Sequence, residues 1–351
     1  MPRLFGRSWT AAELRARTGG LCQLAGVRLL ERNDGSARGM RVAEVWTGSG
    51  LRFEVLIDRA LDIGAAKHAG RPLAFVHPAL GPPARHEPGG EGWLRTFGGG
   101  LVTTCGLVHF GAPEPGHGLH GRISHVPGEK VSVREEWEAD DYVLEVRGEA
   151  RETSALGENL LLARRIRTRL GASSLVIEDE VRNDGARPTP HMLLYHCNVG
   201  FPALGSSSEL LLSPGTVRPR DDVAAAGLVG HRRFGPPEAE AKGQVFFHDL
   251  RPGPDGRARA AIVDRGLGFG VFLRYRAAEL PCFAQWKMMA AGGYVCGLEP
   301  GTNWEAPRQK LEAEGRLRLL APGEEVRYEL ELGALACPEE VSAFEAETRT
   351  P

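Results

Sequence analysis

Apolar and polar positions alternate with a period of two along much of the chain. Phe53, Val55 and Ile57 alternate with Arg52 and Glu54, and Tyr142, Leu144 and Val146 with Glu145 and Arg147. Leu175, Ile177, Asp179 and Val181 alternate with Glu178, Glu180 and Arg182, and Val326, Tyr328, Leu330 and Leu332 with Arg327, Glu329 and Glu331. Successive side chains of a strand point to opposite faces, so each run predicts a half-buried strand. Asn183-Asp184-Gly185, Asp255-Gly256 and Pro322-Gly323 supply turn chemistry between such runs. Only two segments predict helix. One is Thr10–Arg17, where Thr10 and Glu13 have capping-box spacing; the other is Glu339–Glu347. There is no βαβ alternation and no internal repeat, which excludes a dinucleotide-binding fold. Many strands with few helices predict an all-β sandwich or barrel. Two stretches, Arg71–Glu91 and Val217–Lys242, lack periodicity and read as long loops, either functional or solvated insertions.

Composition narrows the function classes. The 351 residues carry a formal net charge of −2, so no global field recruits nucleic acid or an anionic membrane. No apolar run has the length of a membrane span, and Met1–Arg17 lacks the apolar core of a signal peptide, so the expected location is cytoplasmic. The six cysteines, at positions 22, 105, 197, 282, 296 and 337, form no CxxC pair. That argues against a cysteine zinc site and fits a reducing compartment.

Candidate chemistry gathers in three clusters. Thr96-Phe97-Gly98-Gly99-Gly100-Leu101 precedes Gly118-Leu119-His120-Gly121-Arg122-Ile123-Ser124-His125. No GK[ST] follows the glycines, so a close backbone approach explains them better than a phosphate loop. On a strand, His120 and Arg122 share a face and suit a polyol or an anionic sugar; the alternative is an ion pair between Arg122 and a loop carboxylate. The second cluster contains Tyr195-His196-Cys197-Asn198, where His196 is a candidate general acid or a core histidine. The third holds Trp286-Lys287 and Leu298-Glu299-Pro300-Gly301-Thr302-Asn303. Glu299, at the end of an apolar strand, is a candidate base. Trp286 can stack on a sugar ring or belong to the core, and Lys287 and Asn303 offer polar groups nearby. Arg59 and Asp62, at the end of the strand begun at Leu51, can reach a ligand or pair with each other.

Together these clusters resemble the aldose 1-epimerase superfamily, with its galactose mutarotase-like sandwich. The nearest likeness, including Asp58–Gly64 and Glu299–Asn303, is to a bacterial group called domain of unknown function 4432. The glycine run ending in His120-Gly121-Arg122 is similar to that of hexose-6-phosphate mutarotases. The resemblance implies one β-supersandwich domain spanning residues 1–351, with a short N-terminal helix and a single deep cleft. It implies His196 as acid and Glu299 as base, acting on the anomers of a carbohydrate without cofactor or metal. It also implies Arg59, Asp62, His120, Arg122, His125, Asn198, Trp286, Lys287 and Asn303 as substrate contacts. Cys197-Asn198 departs from the family's aromatic after the histidine, and the aspartate that galactose mutarotases use to hold hydroxyls has no counterpart here, so the implied substrate differs from galactose. Three other readings stand beside this one. They are a non-catalytic sugar-binding protein, a sugar isomerase acting beyond the anomeric carbon, and a cupin-like metal enzyme using His120, His125, His191, His196 and Glu299. The 120/125 and 191/196 spacings put partners on opposite faces of a regular strand, which weakens the metal reading.

Overall fold

Three of the period-two segments form strands with the expected inward faces; in the fourth, Leu144 and Val146 are buried but so are Val143 and Glu145, and Tyr142 is half-buried. Leu175, Ile177, Asp179 and Val181 are buried, as are Phe53, Val55 and Ile57, and Val326, Tyr328, Leu330 and Leu332. The computed structural model describes residues 1–81 and 89–349; the rest of the predicted loop Arg71–Glu91, residues 82–88, lies outside them. A short two-stranded ribbon and helix α1 (Ala11–Arg15) open the chain. Thr10 and Glu13 close the reciprocal capping box on α1.

Strands β1 (Gly26–Glu31), β2 (Arg41–Trp46), β3 (Leu51–Leu56), β4 (Asp62–His68) and β5 (Arg71–Pro72) form a sequential five-stranded sheet. β6 (Thr103–Leu107) follows the glycine run. Then come β7 (Glu129–Glu138), β8 (Asp141–Thr153), β9 (Asn159–Arg169), β10 (Ser174–Asn183) and β11 (Thr189–Val199). Next are β12 (Ser208–Leu212), β13 (Gly215–Pro219), helix α2 (Asp222–Gly227), β14 (Gln244–Leu250), β15 (Arg257–Asp264) and β16 (Phe269–Arg276). The chain closes with β17 (Cys282–Ala290), β18 (Gly293–Gly301), helix α3 (Arg308–Ala313), β19 (Arg318–Leu320), β20 (Glu325–Leu335) and helix α4 (Pro338–Arg349). An eight-stranded sheet has the order β12-β15-β16-β20-β10-β9-β8-β7. A seven-stranded sheet has the order β13-β14-β17-β18-β11-β19, with β6 paired to β11. The predicted loop Val217–Lys242 holds the end of β13 and α2, which Asp221 caps. Among the described residues no helix is long and apolar enough to cross a membrane.

One apolar cluster draws on all three sheets, from Phe53 and Ile63 through Ile166 and Ile177 to Tyr195 and Leu298. Within it lies a charged group. Arg164 on β9 donates from Nε and Nη2 to Asp179 (2.9 and 2.6 Å), from Nη1 to Asp62 and the Ala60 carbonyl (3.0 and 3.1 Å), and from Nη2 to Thr104 (2.8 Å). These bonds occupy all five guanidinium donors. Tyr195 donates its hydroxyl to Asp179 at 2.6 Å, and Thr104 donates its hydroxyl and amide to Asp62. The network therefore ties β4, β6, β9, β10 and β11 together. Burial pushes the Asp62 carboxyl up to about 6 against the opposing pull of Arg164 and Thr104. Removing one member of a buried pair strands the other charge, at a cost of about 3–5 kcal/mol. Arg164→Ala should accordingly lower the free energy of unfolding in denaturant titration by about 3–5 kcal/mol. A loss below about 1 kcal/mol, typical of an exposed pair, would contradict this reading.

Candidate active site

The floor of the site follows from strand register. Cys197 pairs with Leu298 and Asn198 with Gly297, which sets His196 on β11 opposite Glu299 on β18. Ala284 on β17 pairs with Glu299, and Trp286 with Gly297. Directly paired residues share a sheet face, so His196, Asn198, Gly297, Glu299, Ala284 and Trp286 present one surface. His196 Nε2 and Glu299 Oε1 lie 3.2 Å apart, and both side chains are buried. Gly297 makes room for them. A Cβ there would sit 2.3 Å from Glu299 Oε1 and 3.1 Å from His196 Cε1.

The roof comes from the irregular segment before and after β6. Trp93 and Phe97 stack at 4.4 Å, and the Phe97 ring lies 5.4 Å from that of His196. His120 meets His196 edge-on at 5.7 Å and Trp93 at 4.8 Å. The Trp286 ring closes another side, 5.4 Å from His196. Gly99, in the run before β6, has φ +68° and would carry a Cβ 2.2 Å from the Phe75 carbonyl oxygen, so close backbone approach explains this glycine. Glu299 and His120 line a small cavity of about 20 Å³ with Phe110, Leu194, Ala284, Asn303, Trp304 and Glu305. Glu305 also lines an adjoining cavity of about 370 Å³ with Glu114 and Arg220.

A profile of the family described as Domain of unknown function (DUF4432) matches residues 37–334, most of the chain. The protein belongs to the DUF4432 family. No curated protein matches it. Its structure is similar to that of a protein from Klebsiella pneumoniae subsp. pneumoniae MGH 78578 provisionally assigned as an aldose 1-epimerase. The TM-score is 0.87 at 23% identity, over 92% of this chain and 86% of that one. A galactose mutarotase-like protein from Clostridium acetobutylicum superposes with a TM-score of 0.56 at 13% identity, over 89% and 99% of the two chains. Galactose 1-epimerase from Lactobacillus acidophilus NCFM gives 0.55 at 10% identity, over 88% and 98%. The fold is the galactose mutarotase-like β-supersandwich.

In this DUF4432 chain, burial sets the protonation of the pair. It pushes the Glu299 carboxyl up to about 8, with the charge of Glu305 adding and Arg220 opposing. It pushes the His196 imidazole down to about 4, partly offset by the Asn198 side chain. It holds His120 well below the usual histidine range, with His196, His109 and Arg220 adding. Glu299 Oε1, although 3.2 Å from His196 Nε2, is not aligned for a hydrogen bond to it, and His196 Nδ1, His120 Nδ1 and Asn198 Oδ1 are likewise buried without a hydrogen-bond partner. Unpaired buried polar atoms are uncommon, and four of them meet around the His196–Glu299 pair.

Of the residues singled out from the sequence, His120, His196, Asn198, Trp286 and Glu299 come together here. Asn198 spends its amide on the Gly100 and His196 carbonyls (3.0 and 2.9 Å). Asn303 lines the small cavity but donates to the Arg316 carbonyl and accepts from Thr302, both at 2.8 Å. His125 stands behind the roof, 2.6 Å from Thr96 Oγ1.

The others lie elsewhere. His120 has φ +59° and is not on a strand, so the shared face expected for His120 and Arg122 does not form. Arg122 pairs with Glu158 at 3.0 Å and approaches Glu152 at 3.8 Å, the ion-pair alternative. Lys287 alternates with Trp286 and so points to the other face, donating to the Arg233 carbonyl at 2.6 Å. Asp62 belongs to the Arg164 network, and Arg59 donates to the Gly81 carbonyl at 3.4 Å. The expected single cleft is also corrected. Two larger cavities, of about 620 and 550 Å³, lie over the Arg- and Glu-lined face of the eight-stranded sheet and beside Phe75, Phe201 and Tyr294.

Sequence reasoning missed Trp93, Trp304, Glu305 and Arg220. Arg220 is reached by extending the β13–β14 register past Pro219↔Phe246, a pairing that no local pattern in Val217–Lys242 announces. Among the described residues no group of three or more His, Cys, Asp or Glu side chains is arranged to hold a metal ion. The protonation reading has a direct check. In an NMR titration the His196 ring should stay neutral through pH 6 and protonate only as the pH falls toward about 4. A midpoint near 6.5, the ordinary histidine value, would contradict the assigned burial effect.

Proposed function

We propose that this protein is an aldose 1-epimerase-like isomerase that interconverts the anomers of a sugar or sugar derivative. The observation that carries this reading is the buried His196–Glu299 pair, 3.2 Å apart, packed under Phe97 and Trp286, with Glu299 opening onto a small cavity that His120 also lines. Glu299 removes the proton from the anomeric hydroxyl while His196 protonates the ring oxygen. The bond from the anomeric carbon to the ring oxygen breaks as the carbonyl forms. Rotation about one carbon–carbon bond presents the other carbonyl face. Ring closure then returns each proton by the reverse path. The cycle is proton-neutral and calls for no cofactor. Trp286 and Phe97 pack against His196 and keep it dry, and His120 lines the small cavity with a neutral imidazole that can donate or accept. The enzyme acts on a small carbohydrate as a single domain.

The pair works as a unit holding one proton. Its carboxylate–imidazolium form, ready for reaction, and its carboxyl–imidazole form contain the same number of protons. Below the His196 value of about 4 the pair gains a second proton and the base is lost; above the Glu299 value of about 8 it loses its only proton and the acid is gone. The rate constant kcat/KM for anomer exchange should therefore be flat in between and fall on both sides. A profile that rises only with increasing pH would show Glu299 acting alone.

Substitution separates the chemical role from binding. Glu299→Gln keeps size and hydrogen bonding but cannot accept the proton, so exchange should slow by about 10²–10⁴-fold while affinity changes far less. His196→Asn should do the same. Measured by exchange NMR and calorimetry on the same sugar, near-normal exchange in Glu299→Gln would sink the mechanism.

A further inference from the structure

We propose that Arg220 and Glu305 are the specificity residues of this site, and that they read a pair of neighbouring hydroxyls on an uncharged sugar. The inference rests on the anomer-exchange reading and names what the sugar must look like. Its starting point is geometric. The cavity beside Glu299 and His120, at about 20 Å³, has room for about one water molecule. The adjoining cavity, at about 370 Å³, falls in the range of small-molecule sites. Glu305 lines both and stands between them. Among the residues that line the two cavities, Glu305 is the one they share.

Arg220 pairs with that carboxylate. Its Nη1 lies 2.9 Å from Glu305 Oε2, and its Nε donates to Asp221 at 3.1 Å. The Arg220 amide donates to the Val245 carbonyl at 3.0 Å, continuing the β13–β14 ladder. That register puts Arg220 on the face that carries Trp286, Gly297 and Glu299. Both members of the pair are partly in solvent, so the contact is weak and opens readily. A ligand with two adjacent hydroxyls can replace it on equal terms, one hydroxyl donating to the Glu305 carboxylate and the other accepting from the Arg220 guanidinium. The anomeric end of the ring then lies over the inner cavity.

Charge selects among sugars. Around the outer cavity Glu114 faces Arg308 at 3.5 Å and Glu305 faces Arg220, so the guanidiniums are matched by carboxylates. Arg218 stacks on Phe247 and Trp304 and lines neither cavity. An anionic substituent entering between Arg220 and Glu305 would meet one favourable and one unfavourable charge, with the matched Glu114–Arg308 pair beyond, and so gains no net attraction for the water it gives up. An uncharged diol meets none of this repulsion.

The test is anomer exchange by NMR on three arms: neutral aldoses, the matching uronates and the matching sugar phosphates. Wild-type protein should favour the neutral arm. Glu305→Gln should raise KM for the neutral sugar about tenfold or more, while kcat falls less, because a charge-assisted contact is lost away from the reacting bonds. The same variant should narrow the preference for neutral sugar over uronate. It should also move the upper limb of the kcat/KM profile to lower pH. Glu299 faces His196, His120, Arg220 and the buried cysteines 105, 197 and 296 as well as Glu305, and only the Glu305 charge is removed. Arg220→Ala should raise KM on every arm. A wild-type preference for uronate or phosphate, or unchanged KM and pH profile in both variants, would overturn the inference while leaving the anomer-exchange reading intact. Exchange on no arm at all would remove both.

Discussion

The Arg164 guanidinium, buried among Asp62, Asp179, Thr104 and Tyr195, is the constraint on which the site depends. A charge in an apolar core is tolerable only when its donors are satisfied, and here all five bond to groups carried by strands of three different sheets or the turn before β4. Any slip of β11 by one residue would remove Tyr195 from Asp179 and turn a different set of side chains toward the core. Tyr195 precedes His196, and Thr104 follows Thr103, which pairs with His196. The network grips the inward face of these two strands, and the next residue along β11 is delivered to the opposite face.

Register then carries the geometry from strand to strand without further help. With Cys197 against Leu298, the imidazole and carboxylate meet across β11 and β18, and Gly297 leaves the space they occupy. The aromatic roof removes water from above them. Desolvation opposes charge on each partner, raising the carboxyl and lowering the imidazole, so one proton resides on the pair over the neutral range. In that range the proton rests on Glu299, and moving it to His196 makes the form in which one partner can take a proton while the other gives one. That is the requirement of a reaction whose first and last steps mirror each other.

Much of the architecture was legible because period-two burial is a local signal. The run Leu175–Val181 announced both its strand and its inward face, and it placed Asp179 inward with the apolar residues. Its partner Arg164 gave no such sign, since a long-range pairing leaves no trace in spacing. His196 and Glu299 stood out as polar residues at strand positions surrounded by apolar ones, and family likeness named them together. Arg122 misled because a left-handed residue at His120 breaks the strand geometry on which a shared face depends. Lys287 misled although its alternation with Trp286 already implied the opposite face. Arg220 and Glu305 come from segments without periodicity, where only the folded register shows which face a side chain joins.

The central claim is that the His196–Glu299 pair moves protons at an anomeric centre. Two-dimensional exchange NMR on aldoses labelled with ¹³C at the anomeric carbon tests it most directly, because cross-peaks between the two anomers report their interconversion without a coupled assay. The account predicts cross-peaks that build up faster with the wild-type protein than in buffer, for at least one sugar that binds. Build-up at the buffer rate with a sugar shown to occupy the site would contradict it.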